Sequence, residues 1–357
     1  MLVSFSKMGN SWVAFKALLM KLGFDVVVPP EITKKTINLG LKNSPETVCF
    51  PFKASLGSMI EVLDQGVEGI VMVSTEGPCR FGEYHRIQET ILRKMGYDFE
   101  MIVINQNRAL DFRSDKSPYK KLMSYHGATP GEVWEGIRLF YNKAWALKEV
   151  EKLRNYNRVY GVEKGKSDLL FDEFINNLDK ADTVKSIKLV VNDYRNKYNS
   201  LDKRENRDAI KIGLIGEIYV TAVPYVNLNA ERILADLGVE VYSHSTIFDW
   251  INVRRRLPLV KRAIGELGNK YLKYHIGGSE GIRTITSIRK IAKENYDGVL
   301  HLYPFACMPE VTVKSIIPRL SRDCKIPILS LNLDEQTGRA GFVTRIEAFV
   351  DMIRRLK

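Results

Sequence analysis

The chain has 357 residues, 45% of them hydrophobic and 27% charged, with a formal net charge of +12. That composition excludes a disordered or low-complexity chain and suits two or three packed domains. Four cysteines are too few for a disulfide framework at this length, and no run approaches the ~20 apolar residues of a membrane span. The excess of Lys and Arg lies on helical faces and in short runs such as Arg254-Arg255-Arg256, without the aromatic interleaving of a nucleic-acid module. The expectation is a soluble cytoplasmic protein with neither a nucleic-acid nor a membrane partner.

The N-terminal stretch MLVSFSKMGNSWVAFKALLMKLGF carries only a short apolar run, LVSF, and then helical periodicity broken by Lys16 and Lys21. It reads as a strand followed by a helix over 11–22, not as a signal peptide. DVVVPP (25–30) is a second strand stopped by two prolines, and a short helical segment over 32–40 follows. Pro51, just after Cys49, suits the first turn of a helix that Ala54, Leu56, Met59, Ile60 and Leu63 continue. GIVMVST (69–75) is a buried strand, and Gly77-Pro78-Cys79-Arg80-Phe81-Gly82 is the turn after it. A helix runs from there to about 95, and DFEMIVIN (98–105) is the next strand. The alternation predicts a parallel sheet with helices on both faces.

Residues 107–128 are polar and irregular. Thr129-Pro130-Gly131-Glu132 is a capping box with proline at the first helical position. The helix it opens, and two more over 167–180 and 183–199, show no strand signal between them. From IKIGLIGEIYV (210–220) the alternation resumes: a helix over 228–237, a strand VEVYSHS (239–245), helices near 246–266, and a helix ending near 294 after KYLKYHIGGSEG. GVLHLYP (298–304) is a strand, Cys307-Met308-Pro309-Glu310 opens a helix, IPILSLNLDEQTG (326–338) is a strand with a polar end, and a helix over 342–356 closes the chain. The predicted organisation is an α/β domain over 1–106 carrying Cys49 and Cys79, a helical middle segment over 107–208, and an α/β domain over 209–357 carrying Cys307. The expected fold class is α/β, with two doubly wound parallel-sheet domains of the flavodoxin or Rossmann type facing a cleft.

Cys49, Cys79 and Cys307 share one local context. Each falls at a helix-opening turn with a proline within two residues, C-F-P, P-C-R and C-M-P. Ligands in open α/β sheets bind at the carboxyl ends of strands, and helix-opening N–H groups favour negative charge there. Three thiolates in that setting suit a metal ion or an iron–sulfur cluster. Two alternatives stay open: three inert buried thiols, or zinc held by the three together with His85 or His301. Cys324, in Asp323-Cys324-Lys325 at the amino end of a strand, reads as an ordinary partly buried thiol.

Around Cys79, the side chains Glu76, Arg80, Glu83 and His85 are placed to tune a cluster by charge and hydrogen bonding, or to cap and solvate a helix start. Asp334 and Glu335, with Gln336 and Thr337, follow a strand and either cap the next helix or contact a substrate. His275-Ile276-Gly277-Gly278 is either a backbone loop approaching a ligand or a plain turn. Glu217 and Tyr219 lie at a strand end and are weaker candidates. No Ser/His/Asp or Cys/His hydrolase arrangement stands out.

The segments TVCFPFKASLG, GPCRFGEYHRIQ, GEIYV, YHIGG, GVLHLYPFACMPE and LSLNLDEQTGRAGFVTRIEAF together resemble the 2-hydroxyacyl-CoA dehydratase components. More narrowly, they resemble the stand-alone branch labelled CoA-substrate enzyme activase-related proteins. The resemblance covers both α/β portions and is weak across 107–208. It implies a 4Fe–4S cluster, or a double-cubane cluster, held by three cysteines that match Cys49, Cys79 and Cys307. It also implies low-potential electrons delivered by a separate ATP-dependent activator with its own cluster. One chain supplies one set of three thiolates, so a double cubane requires a homo- or heterodimer.

Two departures limit what carries over. No G-x-x-x-x-G-K-[ST] loop is present, and Gly213-Leu214-Ile215-Gly216 is too short and apolar to replace it, so no ATPase activity is expected. No segment matches the dehydratases' CoA-binding residues. The expected function is low-potential electron transfer or reduction of a small molecule. The alternatives are a radical 2-hydroxyacyl-CoA dehydratase, a non-catalytic cluster carrier and a zinc-binding structural protein.

Overall fold

The computed structural model describes residues 1–75, 79–105, 123–204, 209–255 and 278–357. Glu76, Gly77, Pro78 and the His275-Ile276-Gly277 stretch lie outside them, as do most of the irregular stretch and the end of the helical region near 246–266. The chain divides into two compact units, Met1–Ala144 with Asp179–Ile187, and Trp145–Leu178 with Lys188–Lys357.

The first unit alternates strand and helix: β1 (Leu2–Phe5), α1 (Trp12–Lys21), β2 (Asp25–Val26), α2 (Lys34–Asn43), α3 (Phe50–Leu63), β3 (Gly69–Ser74), α4 (Tyr84–Lys94) and β4 (Glu100–Asn105). The strands lie in the order β2-β1-β3-β4, all parallel, with Val3 opposite Gly69 and Gly69 opposite Glu100. Strand β2 is shorter than the apolar run DVVVPP suggests: it covers Asp25–Val26, the Val27 N–H still donates to the Val3 carbonyl at 2.9 Å, and Pro29 and Pro30 beyond it cannot donate to a ladder.

Helices cover both faces of this sheet. Leu56, Met59, Ile60 and Leu63 of α3, with Tyr84 and Leu92 of α4, pack on Ile70 and Met72. Leu18, Leu19 and Leu22 pack with Val3, Phe5, Val71 and Ile102 on the other face. Apart from Glu61, every residue of α3 is buried, which is why that helix is apolar nearly all round.

Three helices follow: α5 (Pro130–Tyr160), α6 (Lys166–Lys180) and α7 (Val184–Asn199). The capping box holds. The Glu132 carboxylate accepts from the Thr129 N–H at 2.7 Å, and the Thr129 hydroxyl accepts from the Glu132 N–H at 3.3 Å. Among the described residues between 123 and 204 the only β pairing is the isolated bridge Gly161–Lys203.

The second unit repeats the architecture with β5 (Ile210–Gly216), α8 (Ile218–Ala222), α9 (Ala230–Asp236), β6 (Val239–Ser243), α10 (Ile247–Arg255), α11 (Gly278–Lys293), β7 (Gly298–Pro304), α12 (Met308–Lys314), α13 (Ile317–Cys324), β8 (Ile328–Leu333) and α14 (Arg339–Leu356). The order is β6-β5-β7-β8, again all parallel. All seven residues of β7 are buried, as expected for a central strand covered on both faces. The expected α/β class with two parallel sheets is therefore what the chain forms.

Two local readings change. Strand β5 stops at Gly216, whose φ of +135° only glycine adopts readily, and the IYV of GEIYV is helical. The strand expected over 326–338 is the shorter β8, Ile328–Leu333, and Cys324 precedes it as the last residue of α13.

Candidate functional site

In each unit the chain leaves the first strand on one side and returns on the other. The crevice in the first unit therefore opens at the carboxyl ends of β1 and β3, and in the second at those of β5 and β7. The three cysteines of the shared motif stand at these edges. Cys49 is the N-cap of α3, extended at φ −73° and ψ 156°, with Pro51 in the first turn. Cys79 follows β3 and opens a short 3-10 turn at φ −73° and ψ 127°. Cys307 follows β7 and caps α12 at φ −75° and ψ 108°, with Pro309 in its first turn. None of the three spends its side chain on a capping bond. Cys49 and Cys307 are buried and Cys79 is half-buried.

Within the first unit, several contacts draw the Cys49 and Cys79 turns together. The Arg80 guanidinium donates to the Thr47 carbonyl at 2.8 Å, bridging the segment before Cys49 and the turn after Cys79. The Tyr84 hydroxyl hydrogen-bonds the Cys49 sulfur, and its ring stands edge-on to Phe52 and Phe81, with centroids 5.0 and 5.4 Å away. Gln88 donates to Ser55 Oγ at 2.7 Å, fixing α4 to the first turns of α3. The Ser74 hydroxyl donates to the Gly82 carbonyl at 2.8 Å and holds the Cys79 turn to the end of β3. A Cβ at position 82 would lie 2.3 Å from the Thr75 carbonyl oxygen, so this turn requires glycine.

The other candidates near Cys79 differ in what they do. Glu83 makes no capping bond and pairs with Arg86 at 3.2 Å, both side chains exposed. His85 is held below its ordinary 6.5, chiefly by burial. Its Nδ1 is buried with no hydrogen-bond partner among the described residues. Tyr84 and Gln88 escape a reading of the sequence, because both sit on what looks like a plain amphipathic helix face.

At the Cys307 edge the hydrogen-bond network is buried. His301 of β7 and Glu310 of α12 are 0% and 1% exposed. His301 Nε2 meets Glu310 Oε2 at 2.9 Å, its Nδ1 meets the Ser330 hydroxyl at 3.1 Å, and Thr284 donates to Glu310 Oε1 at 2.8 Å. Both ring nitrogens of His301 are thus engaged inside the unit. Asp334 accepts from the Gln336 N–H at 3.0 Å and the Thr337 hydroxyl at 2.8 Å, and the Thr337 hydroxyl in turn accepts from the Asp334 N–H. Those bonds shape the turn before α14, whose N-cap is Gly338 with no side-chain capping bond. Glu335 is in the same turn and half-buried. Among the described residues no group of three or more His, Cys, Asp or Glu side chains is placed to hold a metal ion.

Residues 7–77 match the family of the CoA enzyme activase uncharacterised domain (DUF2229). The matched segment takes in α1 through β3 and includes Cys49. No curated protein matches the chain. No helix among the described residues is long and apolar enough to cross a membrane.

Glu217 closes β5 and caps α8, its carboxylate accepting from the N–H groups of Tyr219 at 3.1 Å and Val220 at 2.9 Å. Burial, reinforced by Glu280 and Glu310, nevertheless pushes its carboxyl up from the ordinary 4.5 to about 7. The folded state thus holds this proton more tightly than the unfolded chain. Stability from the group is intact below 4.5 and is lost as pH rises to about 7. The stability of Glu217→Gln relative to the parent should therefore grow by on the order of 1–2 kcal/mol between about pH 5 and pH 8. Urea unfolding at both pH values measures it, and a pH-independent difference would refute the assignment.

Proposed function

We propose that the chain holds a 4Fe–4S-type cluster through Cys49, Cys79 and Cys307 and works in low-potential electron transfer or reduction of a small molecule, supplied by a separate ATP-dependent activator. The observation that carries this reading is the repeated geometry. All three sulfurs belong to extended residues that open a helical turn at the carboxyl edge of a parallel sheet, and none is spent on capping. Soft thiolate donors at such positions are the ligand chemistry of iron–sulfur clusters, and a bound cluster would supply one-electron chemistry at low potential. The match of residues 7–77 to a CoA enzyme activase domain supports a place beside CoA-dependent enzymes in general. A 2-hydroxyacyl-CoA dehydratase activity and a cluster carrier are the narrower alternatives within it.

The protein's own contribution is the setting of the sulfurs. Arg80 brings positive charge to the Cys79 turn, and hydrogen bonding by Tyr84 at Cys49 is the kind of contact that raises the potential of a thiolate-bound centre. Ser74 and Gln88 keep the two turns fixed when an electron arrives.

Iron, sulfide and zinc counted on anaerobically purified protein test the proposal. About four iron and four sulfide per chain are expected. They should be lost in Cys49→Ala, Cys79→Ala and Cys307→Ala and retained in Cys324→Ala. One zinc without sulfide, or no metal after reconstitution, would overturn the cluster. Full retention in any of the first three variants would remove that ligand.

A further inference from the structure

At the carboxyl end of β5 the second unit holds buried hydrogen-bond donors with no acceptors. Arg283 of α11 is 5% exposed. Its Nη2 is used twice, on the Gly216 carbonyl at 3.3 Å and on Glu280 at 2.9 Å. Its Nε and Nη1 are buried and have no partner among the described residues. Buried polar groups in folded proteins are overwhelmingly paired, and two orphaned donors on one buried guanidinium call for an explanation.

The surrounding carboxylates do not provide one, because each is already committed. Glu280 takes Arg283 Nη2 and the Trp250 indole N–H. Glu217 accepts two backbone N–H groups, and Glu310 is held by Thr284 and His301. The unit has more donors here than acceptors. The surplus sits at the crossover of β5 and β7, where open α/β sheets take their ligands. The backbone is shaped to the same end. A Cβ on Gly216 would come 1.8 Å from the Leu302 carbonyl oxygen, so only glycine turns the Gly216 carbonyl toward the guanidinium. Thr284, next to Arg283 in sequence, ties α11 to Glu310 in the first turn after Cys307.

We propose that Arg283 forms a binding site for an oxyanion, a carboxylate or phosphate group carried by a small molecule, at the β5–β7 edge of the second unit. The guanidinium supplies the charge-assisted donors, and the ligand's oxygens are the missing acceptors. The site goes beyond the cluster assignment and stands without it.

Titrating the full chain in two arms tests this, one with inorganic phosphate and one with succinate. Chloride holds the ionic strength constant, and binding is followed by calorimetry and by the thermal midpoint. Saturable binding in the phosphate arm identifies a phosphate ligand, and in the succinate arm a carboxylate. Arg283→Lys and Arg283→Gln should each weaken binding about tenfold or more, with their far-UV dichroism unchanged. If Arg283→Lys does not fold, Arg283→Gln carries the comparison. Absence of saturable binding in both arms, or parental affinity in the folded variants, overturns the proposal.

Discussion

Gly57→Ala should destabilise the first unit by on the order of 2–4 kcal/mol, although alanine is the better helix former by about 1 kcal/mol. Gly57 of α3 faces Gly40 of α2. A Cβ on Gly57 would stand 1.8 Å from the Thr36 carbonyl oxygen, and one on Gly40 1.8 Å from the Lys53 carbonyl oxygen. Both obstacles are backbone, so no side-chain rotation relieves them and the two helices must separate. Separation also strains the Thr36 hydroxyl's 2.7 Å bond to Glu61, which joins the same pair. Helix α3 begins at Cys49, so the packing fault reaches the proposed ligand. Cys49, 8% exposed in the parent, should react faster with iodoacetamide in the variant. Urea unfolding and alkylation measure the two effects. A neutral or stabilising Gly57→Ala would show that the close approach is not maintained in solution.

How much of this was readable beforehand depends on the range of the interaction. Periodicity located the strands and helices, because the apolar runs at β3, β5 and β7 are buried on both faces and the capping box at Thr129 is a four-residue signal. The shared context of Cys49, Cys79 and Cys307 was legible for the same reason, since a helix-opening turn and a proline lie within a few residues of each sulfur, with a strand just before Cys79 and Cys307. What escaped were contacts across elements. Tyr84 looks like one more apolar position of α4 until α3 brings Cys49 to its hydroxyl. Arg283 looks like a solvated charge of α11 until β5 ends beside it. GEIYV carries a β-rich composition, yet it turns helical because Gly216 breaks the strand and Glu217 is there to cap the next turn. For Tyr84 and Arg283 a local preference was outweighed by a partner distant in sequence, which a linear pattern does not encode.

Glu310→Ala should cost about 3–5 kcal/mol, the penalty for removing one member of a buried polar pair and leaving the other without its partner. The pair is fully enclosed. His301 is packed against Tyr303, with ring centroids 5.0 Å apart and planes at 17°, so it has no route to solvent by a small rotation. Deleting the carboxylate strands His301 Nε2 and the Thr284 hydroxyl together, and the void left in α12 adds a cavity cost. Glu310→Gln keeps the shape and an oxygen for Thr284, so it should lose far less, on the order of 1–2 kcal/mol. The contrast separates the network from mere volume. Glu310 also lies one turn after Cys307 and is the tie between that turn and β7. Loosening it should expose Cys307, buried at 6%, to alkylation before the unit unfolds. If Glu310→Ala unfolds at the parental urea concentration, or if Cys307 stays protected in it, then the His301–Glu310 pair does not hold the Cys307 turn, and the position of that sulfur must come from Pro309 and the end of β7 alone.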